Sequence, residues 1–293
     1  MFTSEFASVS PAEIAEQIKN TGFYLHPTAL DPKFIDAMMA EFGPNRVAVN
    51  EHGIFPVCFG RTWYLNQVLA RSKHCFDLVT SNKILDIGEQ TLGHDFRLVT
   101  KRYYTTREGA KMAWHRDNKS APHEVIKAHG LIFIFYMTDV THGAFQFIRG
   151  SHDRDEATQI EFPDEYVART YPADIVTYQA PRGAFIVYDI RTIHRAEPFA
   201  GIDYERSSLF MGMMAEPTKA EPVLINTSFF DKVDDRLIKY LGFGKKELAR
   251  PFPATVVKDM DDQTTLKVKA EVDAWQDEIN QMIEKARREH AAS

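Results

Sequence analysis

The sequence predicts a mainly β chain flanked by helices, its strands closing into an antiparallel sandwich, barrel or jelly roll. Three observations lead there. Between about Phe96 and Met214, short runs of β-branched and aromatic residues alternate with Gly, Pro, Asp and Asn. Those runs lack the intervening amphipathic helices that parallel strands need for their crossovers. On either side of them, apolar residues recur at helical spacing. With 293 residues, 44% of them hydrophobic, the chain can build a sizeable core. It reads as one domain, 1–293: a helical part over about 1–95, a β core over about 96–215 and a helical extension over about 226–293.

Ser10-Pro11-Ala12-Glu13 has the form of a capping box with proline at the first helical position, predicting a helix to about Lys19. Thr21 to Leu25 reads as a short strand. Asp31-Pro32 opens a second helix, with Phe34, Ile35, Met38, Met39 and Phe42 on one side. Residues 63 to 92 continue at helical spacing through Leu65, Val68, Leu69, Phe76, Leu78 and Val79. Strands are expected over Phe96–Tyr104, Lys111–Trp114, Leu131–Met137, Ala144–Ile148, Ile175–Tyr178, Ala184–Ile190 and Ser207–Met214. Phe229–Leu241 and Leu266–Arg288 return to helical periodicity. In the last segment, the spacing of Val268, Val272, Trp275, Ile279, Met282 and Ala286 suits a helix packed on its own sheet. The same spacing makes a coiled-coil seam, which would join two copies as a homodimer.

A net charge of -6 and the absence of a Lys/Arg block give no reason to expect a nucleic-acid partner. Cys58 and Cys75 make neither a disulfide framework nor a zinc motif, so a reducing compartment is expected. The N-terminus lacks the basic and apolar regions of a secretory leader. The longest apolar run, Leu131–Met137, falls far short of the roughly 20 residues of a membrane helix. A cytoplasmic protein without a membrane partner is the expectation.

Trp114-His115-Arg116-Asp117 is the most informative stretch. On an extended strand, side chains alternate, so His115 and Asp117 share a face while Arg116 points the other way. Taken alone, His-x-Asp is a weak signal, and most histidines are structural or exposed. The pair follows a β-like run, precedes a polar segment, and is matched downstream by His194, read as the end of a strand starting at Phe185. Two imidazoles and a carboxylate on one side of a metal form the facial set that holds non-haem Fe(II) with positions open for oxygen chemistry. His115-Arg116-Asp117 also resembles a kinase catalytic loop, but Pro122 stands where that loop needs Asn, and a glycine-rich phosphate loop is missing.

Arg206 begins the next run, and its guanidinium could grip a carboxylate through two parallel hydrogen bonds. Ser208, on the same face, could add a hydroxyl. The plainer reading of Arg206 is a surface salt bridge to Glu205 or Asp203. His152 reads as a turn residue, and His123, His129 and His142 as loop residues without metal-binding spacing. Trp114 reads as packing.

In this order, these pieces resemble the phytanoyl-CoA dioxygenase-like (PhyH) family of Fe(II)/2-oxoglutarate-dependent oxygenases. The resemblance rests on Trp114-His115-Arg116-Asp117, Tyr136-Met137-Thr138-Asp139-Val140, the segment Gly143 to His152, Pro181 to Asp189, His194 and Arg206. It covers about residues 10 to 215, including Asn20-Thr21-Gly22-Phe23-Tyr24. His142 and Arg149 depart from the Asn and Pro usual in the third piece. The resemblance implies a double-stranded β-helix, a cupin-like jelly roll, buttressed by the terminal helices. It implies His115, Asp117 and His194 as the iron ligands and Arg206, with Ser208, as the partner of the distal carboxylate of 2-oxoglutarate. The implied activity couples conversion of 2-oxoglutarate and O2 to succinate and CO2 with hydroxylation of an unactivated C–H bond in a small molecule. Desaturation, epoxidation or ring rearrangement are alternatives, as is a non-catalytic cupin-like binding protein. Halogenases of this class replace the carboxylate with a small residue, so Asp117 favours hydroxylation. Substrate choice would lie in loops at about 45–60, Asn118–Ala128 and Asp153–Tyr171. Arg116, Lys119 and Lys127 make the second of these basic, which would suit an acidic molecule.

Overall fold

The structure, a computed structural model, describes residues 1–42, 48–49, 58–59, 62–65, 68–107, 112–117, 129–154, 160–199, 201–215, 220–221, 223–245, 256–257, 270 and 288. Its helices are α1 (Ser4–Ser8), α2 (Pro11–Thr21), α3 (Pro32–Phe42), α4 (Val68–Arg71), α5 (Lys73–Val79), α6 (Asn82–Leu92), α7 (Asp164–Thr170) and α8 (Asp235–Leu241). Its strands are β1 (Phe23–His26), β2 (Ala48–Val49), β3 (Cys58–Phe59), β4 (Thr62–Leu65), β5 (Phe96–Thr106), β6 (Trp114–His115), β7 (Gly130–Tyr136), β8 (Val140–Ile148), β9 (Glu161–Phe162), β10 (Ile175–Ala180), β11 (Phe185–Asp189), β12 (His194–Ala196), β13 (Arg206–Ala215) and β14 (Val256–Val257).

The continuous apolar run of β7 is explained by burial on both faces. Leu131, Phe133 and Phe135 pack outward against the helices, whereas Ile132, Ile134 and Tyr136 point between the sheets. β11 alternates in the same way: Phe185 and Val187 face the helices, Ile186 and Tyr188 the interior. The larger sheet runs β1-β11-β7-β13-β5-β4-β3, and a second runs β10-β8-β12-β6-β9. Their strands pair antiparallel, so the core is a jelly roll with helices on one outer face.

Helix α2 starts as its sequence predicts: Ser10 accepts from the Glu13 amide and the Glu13 carboxylate accepts from the Ser10 amide at 2.7 Å. It stops at Gly22, whose φ of 91° suits glycine and whose missing Cβ leaves room for Thr192 and His152. Ile14 and Ile18 of α2, Ile35 and Met38 of α3, and Ile84 and Ile87 of α6 reach zero or near-zero exposure in the shared core.

Several elements differ from the periodicity. Residues 63–65, at the start of the stretch expected to be helical, belong to β4, because Tyr64 and Leu65 find register partners in Tyr104 and Tyr103 of β5. The following helices break at Ser72 and after Thr80, where the Ser72 hydroxyl caps α5. The expected strand from Phe185 to His194 is two strands in different sheets. Asp189 makes the break: its side chain accepts from the Arg191 amide at 2.9 Å and its carbonyl from the Thr192 amide at 2.8 Å. The helix expected from Phe229 begins only at Asp235, because the Asp234 side chain caps it there by accepting from the Leu237 amide. The predicted helix Leu266–Arg288, and with it the dimer seam, lies outside the described residues apart from Ala270 and Arg288. Among the described residues, no helix is long and apolar enough to cross a membrane.

Phe185 joins helices to sheet, with ring centroids 4.9 Å from Phe135 and 5.0 Å from Phe6. Phe185→Ala is expected to cost about 3–5 kcal/mol of unfolding free energy, measured by urea denaturation. A loss below 1 kcal/mol would contradict this packing role.

Candidate active site

β6 and β12 are adjacent in the smaller sheet, and their register places His115 directly opposite His194. The ring centroids are 4.4 Å apart. Asp117 follows β6 by two residues, and its amide donates to the Ile190 carbonyl at 3.0 Å. Thus the turn that carries the chain into β12 also holds the segment bearing the carboxylate. One donor atom from each of His115, Asp117 and His194 lies within 4.8 Å of the others.

The chemistry of these donors fits a cation. Nδ1 of His115 lies 2.8 Å from the Ala113 carbonyl, and Nδ1 of His194 lies 2.9 Å from the Thr192 carbonyl. A carbonyl only accepts, so each Nδ1 carries the proton and each Nε2 keeps a lone pair for a metal. Burial pushes the pKa of His194 down to about 4, against a smaller opposing pull from Asp117. Its ring is therefore neutral at pH 7, as a ligand must be. The 3.6 Å between His194 Nε2 and Asp117 Oδ2 is then a spacing of two lone-pair donors rather than an ion pair.

The Gly150-Ser151-His152 turn braces this arrangement. The Ser151 hydroxyl donates to the Ile148 carbonyl at 2.7 Å and accepts from the Ile193 amide at 2.8 Å, next to His194. Arg116 points away from the ligand face, is 2% exposed, and donates to the Ser151 carbonyl at 3.0 Å. It is therefore a structural residue and adds no charge to a substrate loop, correcting the reading from sequence. Lys119, Lys127 and His123 lie outside the described residues. His152 is buried and its Nε2 is 3.0 Å from the Lys19 carbonyl, a tie to the end of α2. His142 sits on β8 beside Thr141 and Tyr204, a strand position where a loop was expected. His129 immediately precedes β7, its carbonyl accepting from the Ala215 amide. Trp114 is buried beneath the Arg195 guanidinium, 4.4 Å from its ring centroid, which is a packing role.

Arg206 and Ser208 come from β13 in the opposite sheet; Arg206 lines the same cavity of about 260 Å³, and Ser208 is fully buried two residues further along the strand. Arg206 makes no pair with Glu205, which bonds Arg107 at 3.2 Å instead. Its guanidinium lies 5.3 Å from the Phe145 ring centroid and one Nη donates to the Gly143 carbonyl. Gly143 has φ 64°, and a Cβ there would run into the Phe199 ring, so glycine is what allows that carbonyl to approach. Arg206 Nε and the Ser208 hydroxyl are buried without hydrogen-bond partners, the Tyr104 phenol lying beside Ser208. The unmet Arg206 Nε, in one cavity with a metal-donor set, fits an organic acid. The remaining walls are largely aromatic: Tyr64, Tyr104, Phe145 and Phe210, with Arg102 among them.

Sequence reasoning did not find Tyr104, Arg102 or Tyr188. Tyr188 is buried in the cavity wall, and its phenol donates to Asp117 Oδ2 at 2.9 Å. Burial, with Asp117 beside it, holds that phenol well above its usual pKa, so it keeps its proton. A larger groove of about 760 Å³ between α2, α6 and the sheet is lined by Asp189 and Arg191, which already pair at 2.6 Å, and by His152, whose Nδ1 is buried without a partner.

Two imidazoles, one carboxylate and a buried arginine in a jelly-roll cavity define the class of iron and 2-oxoglutarate-dependent oxygenases. The chain belongs to the phytanoyl-CoA dioxygenase (PhyH) family, whose model matches residues 18–204. Solved structures with the same fold include the alpha ketoglutarate dependent carbocyclase SnoK from nogalamycin biosynthesis, 18% identical, TM-score 0.52, covering 72% of this chain and 85% of that one. The epimerase SnoN, in complex with Fe3+, alpha ketoglutarate and nogalamycin RO, is 20% identical with TM-score 0.51, covering 86% and 96%. HygX from Streptomyces hygroscopicus, with nickel, 2-oxoglutarate and hygromycin B bound, is 14% identical with TM-score 0.56, covering 84% and 97%. At these identities the likeness carries the fold alone. No curated protein matches the chain by sequence.

The low pKa of His194 has a consequence for stability. Between about pH 4 and 6.5 the unfolded chain binds a proton there that the folded chain does not. This contribution is fully present above pH 6.5 and is lost as pH falls to about 4. Metal-free protein should lose up to roughly 3 kcal/mol over that interval from this group. Urea unfolding of His194→Gln at both pH values should show a smaller loss, and equal losses would refute the assignment.

Proposed function

We propose that the protein hydroxylates an unactivated C–H bond of a small-molecule metabolite while converting 2-oxoglutarate and O2 to succinate and CO2. In this reading, His115, Asp117 and His194 hold Fe(II), and Arg206 with Ser208 receives the distal carboxylate of 2-oxoglutarate. The observation that carries it is the convergence of three metal donors in one cavity with Arg206. Membership of the family supports it.

Bound Fe(II) with 2-oxoglutarate supplies the oxygen-activating chemistry that no side chain can supply. What the chain contributes is placement. The two Nδ1–H bonds orient the imidazoles so that both Nε2 atoms face the cavity. The Gly143 carbonyl occupies one Nη of Arg206, directing the unpaired Nε toward a carboxylate. Phe145 and Phe210 give the cavity apolar walls suited to an unactivated C–H bond.

The carbocyclase SnoK and the epimerase SnoN among the similar structures support a second reading, another 2-oxoglutarate-dependent oxidation. Hygromycin B and nogalamycin RO bound in two of those proteins support a small-molecule substrate here. A metabolite screen read as succinate formation coupled to O2 uptake tests the proposal, with product analysis separating hydroxylation from the other outcomes. Anaerobic addition of Fe(II) and 2-oxoglutarate should produce a weak visible charge-transfer band. Its absence in metal-loaded protein would favour a binding protein.

Arg206→Ala should weaken 2-oxoglutarate binding by about 2–5 kcal/mol, since it strips a buried charge from its partner. Titration calorimetry with the metal-loaded protein checks this, and unchanged affinity would remove Arg206 from the site. Asp117→Gly should abolish hydroxylation, and full retained activity would show that the ligand set is wrong.

A further inference from the structure

Tyr188 lines the cavity, and the proposed function leaves it unused. It sits on β11, in the sheet facing β6 and β12, and is 1% exposed. Strand alternation sends it inward, on the opposite side of β11 from Phe185 and Val187. Its ring centroid lies 4.5 Å from that of His194 and 5.4 Å from that of Phe147. Its hydroxyl is 2.9 Å from Asp117 Oδ2 and 3.2 Å from His194 Nε2.

The two contacts differ in kind. A carboxylate accepts readily, and a phenol O–H to carboxylate bond is among the stronger hydrogen bonds because the acceptor is charged. Among the described residues, the other hydrogen bond of Asp117 is through its backbone amide, and its side chain is 29% exposed. An aspartate in that setting has a free rotor. The Tyr188 hydroxyl is anchored by a buried ring, so its bond to Oδ2 restrains the rotor from across the cavity.

We infer that Tyr188 is a positioning residue for the metal centre: its phenol holds one oxygen of Asp117 so that the carboxylate stays turned toward the two imidazoles. The inference rests on the reading of His115, Asp117 and His194 as metal ligands. It assigns the larger sheet a part in metal binding, although all three ligands come from the smaller sheet and the bend that follows β6.

Tyr188→Phe removes the hydroxyl and keeps the ring, so the packing against Phe147 is preserved. Metal-stripped full-length protein would be titrated anaerobically with Co(II), following heat and the visible d–d bands, beside Asp117→Ala. Loss of an outer-shell partner typically weakens metal affinity 10–100-fold. The expected result is a drop of that order in Tyr188→Phe with altered d–d bands, while its metal-free melting temperature stays near that of the parent. Parent-like Co(II) affinity and bands in Tyr188→Phe, alongside lost binding in Asp117→Ala, would overturn the role of Tyr188 and leave the ligand set standing. Parent-like binding in both variants would instead overturn the ligand set. An intense phenolate charge-transfer band on loading with Fe(III), lost in Tyr188→Phe, would make the phenol a fourth ligand and also overturn the positioning role.

Discussion

The site depends on one ladder contact, the pairing of β6 with β12 that sets His115 opposite His194. Directly opposed residues in an antiparallel pair have Cβ atoms about 4.5–5.5 Å apart. Backbone hydrogen bonding alone therefore brings the two imidazoles side by side. β6 is only two residues long and β12 three, so the pairing needs support from its surroundings. Ser151 supplies it beside His194, the Ile190 carbonyl supplies it beside Asp117, and Arg116 ties the first support to the strand carrying His115.

The second constraint is the separation of roles between the sheets. The candidate metal donors come from the smaller sheet and the bend after β6, whereas Arg206, Ser208 and Tyr104 come from neighbouring strands of the larger one. Ser208 and Tyr104 are register partners, so the candidate carboxylate clamp is also organised by a ladder. Burial makes both halves effective. It keeps His194 neutral and leaves Arg206 Nε shielded from water without a protein partner. Such groups are costly in an apolar interior unless a ligand meets them.

Much of this was legible in the chain. The capping box at Ser10, the apolar run of β7 and the alternation of His115, Arg116 and Asp117 are short-range patterns, and the structure follows them. Where local reading failed, a tertiary partner or a single side chain had decided the matter. Tyr64 and Leu65 fit a helical pattern but pair with β5, and Asp189 cut one expected strand into two by capping its own turn. Arg116 is a cation in sequence and a buried brace in the fold.

By itself, the sequence determined the β core and the helical opening, and it pointed to candidate residues for a metal and an organic acid, because residue type and spacing are local properties. Only the tertiary structure decided that His194 belongs to the smaller sheet, that Gly143 seats Arg206, and that Tyr104 and Tyr188 join the cavity. Those facts depend on register between strands far apart in the chain, and a tyrosine on an apolar strand looks the same whether it fills a core or reaches an aspartate.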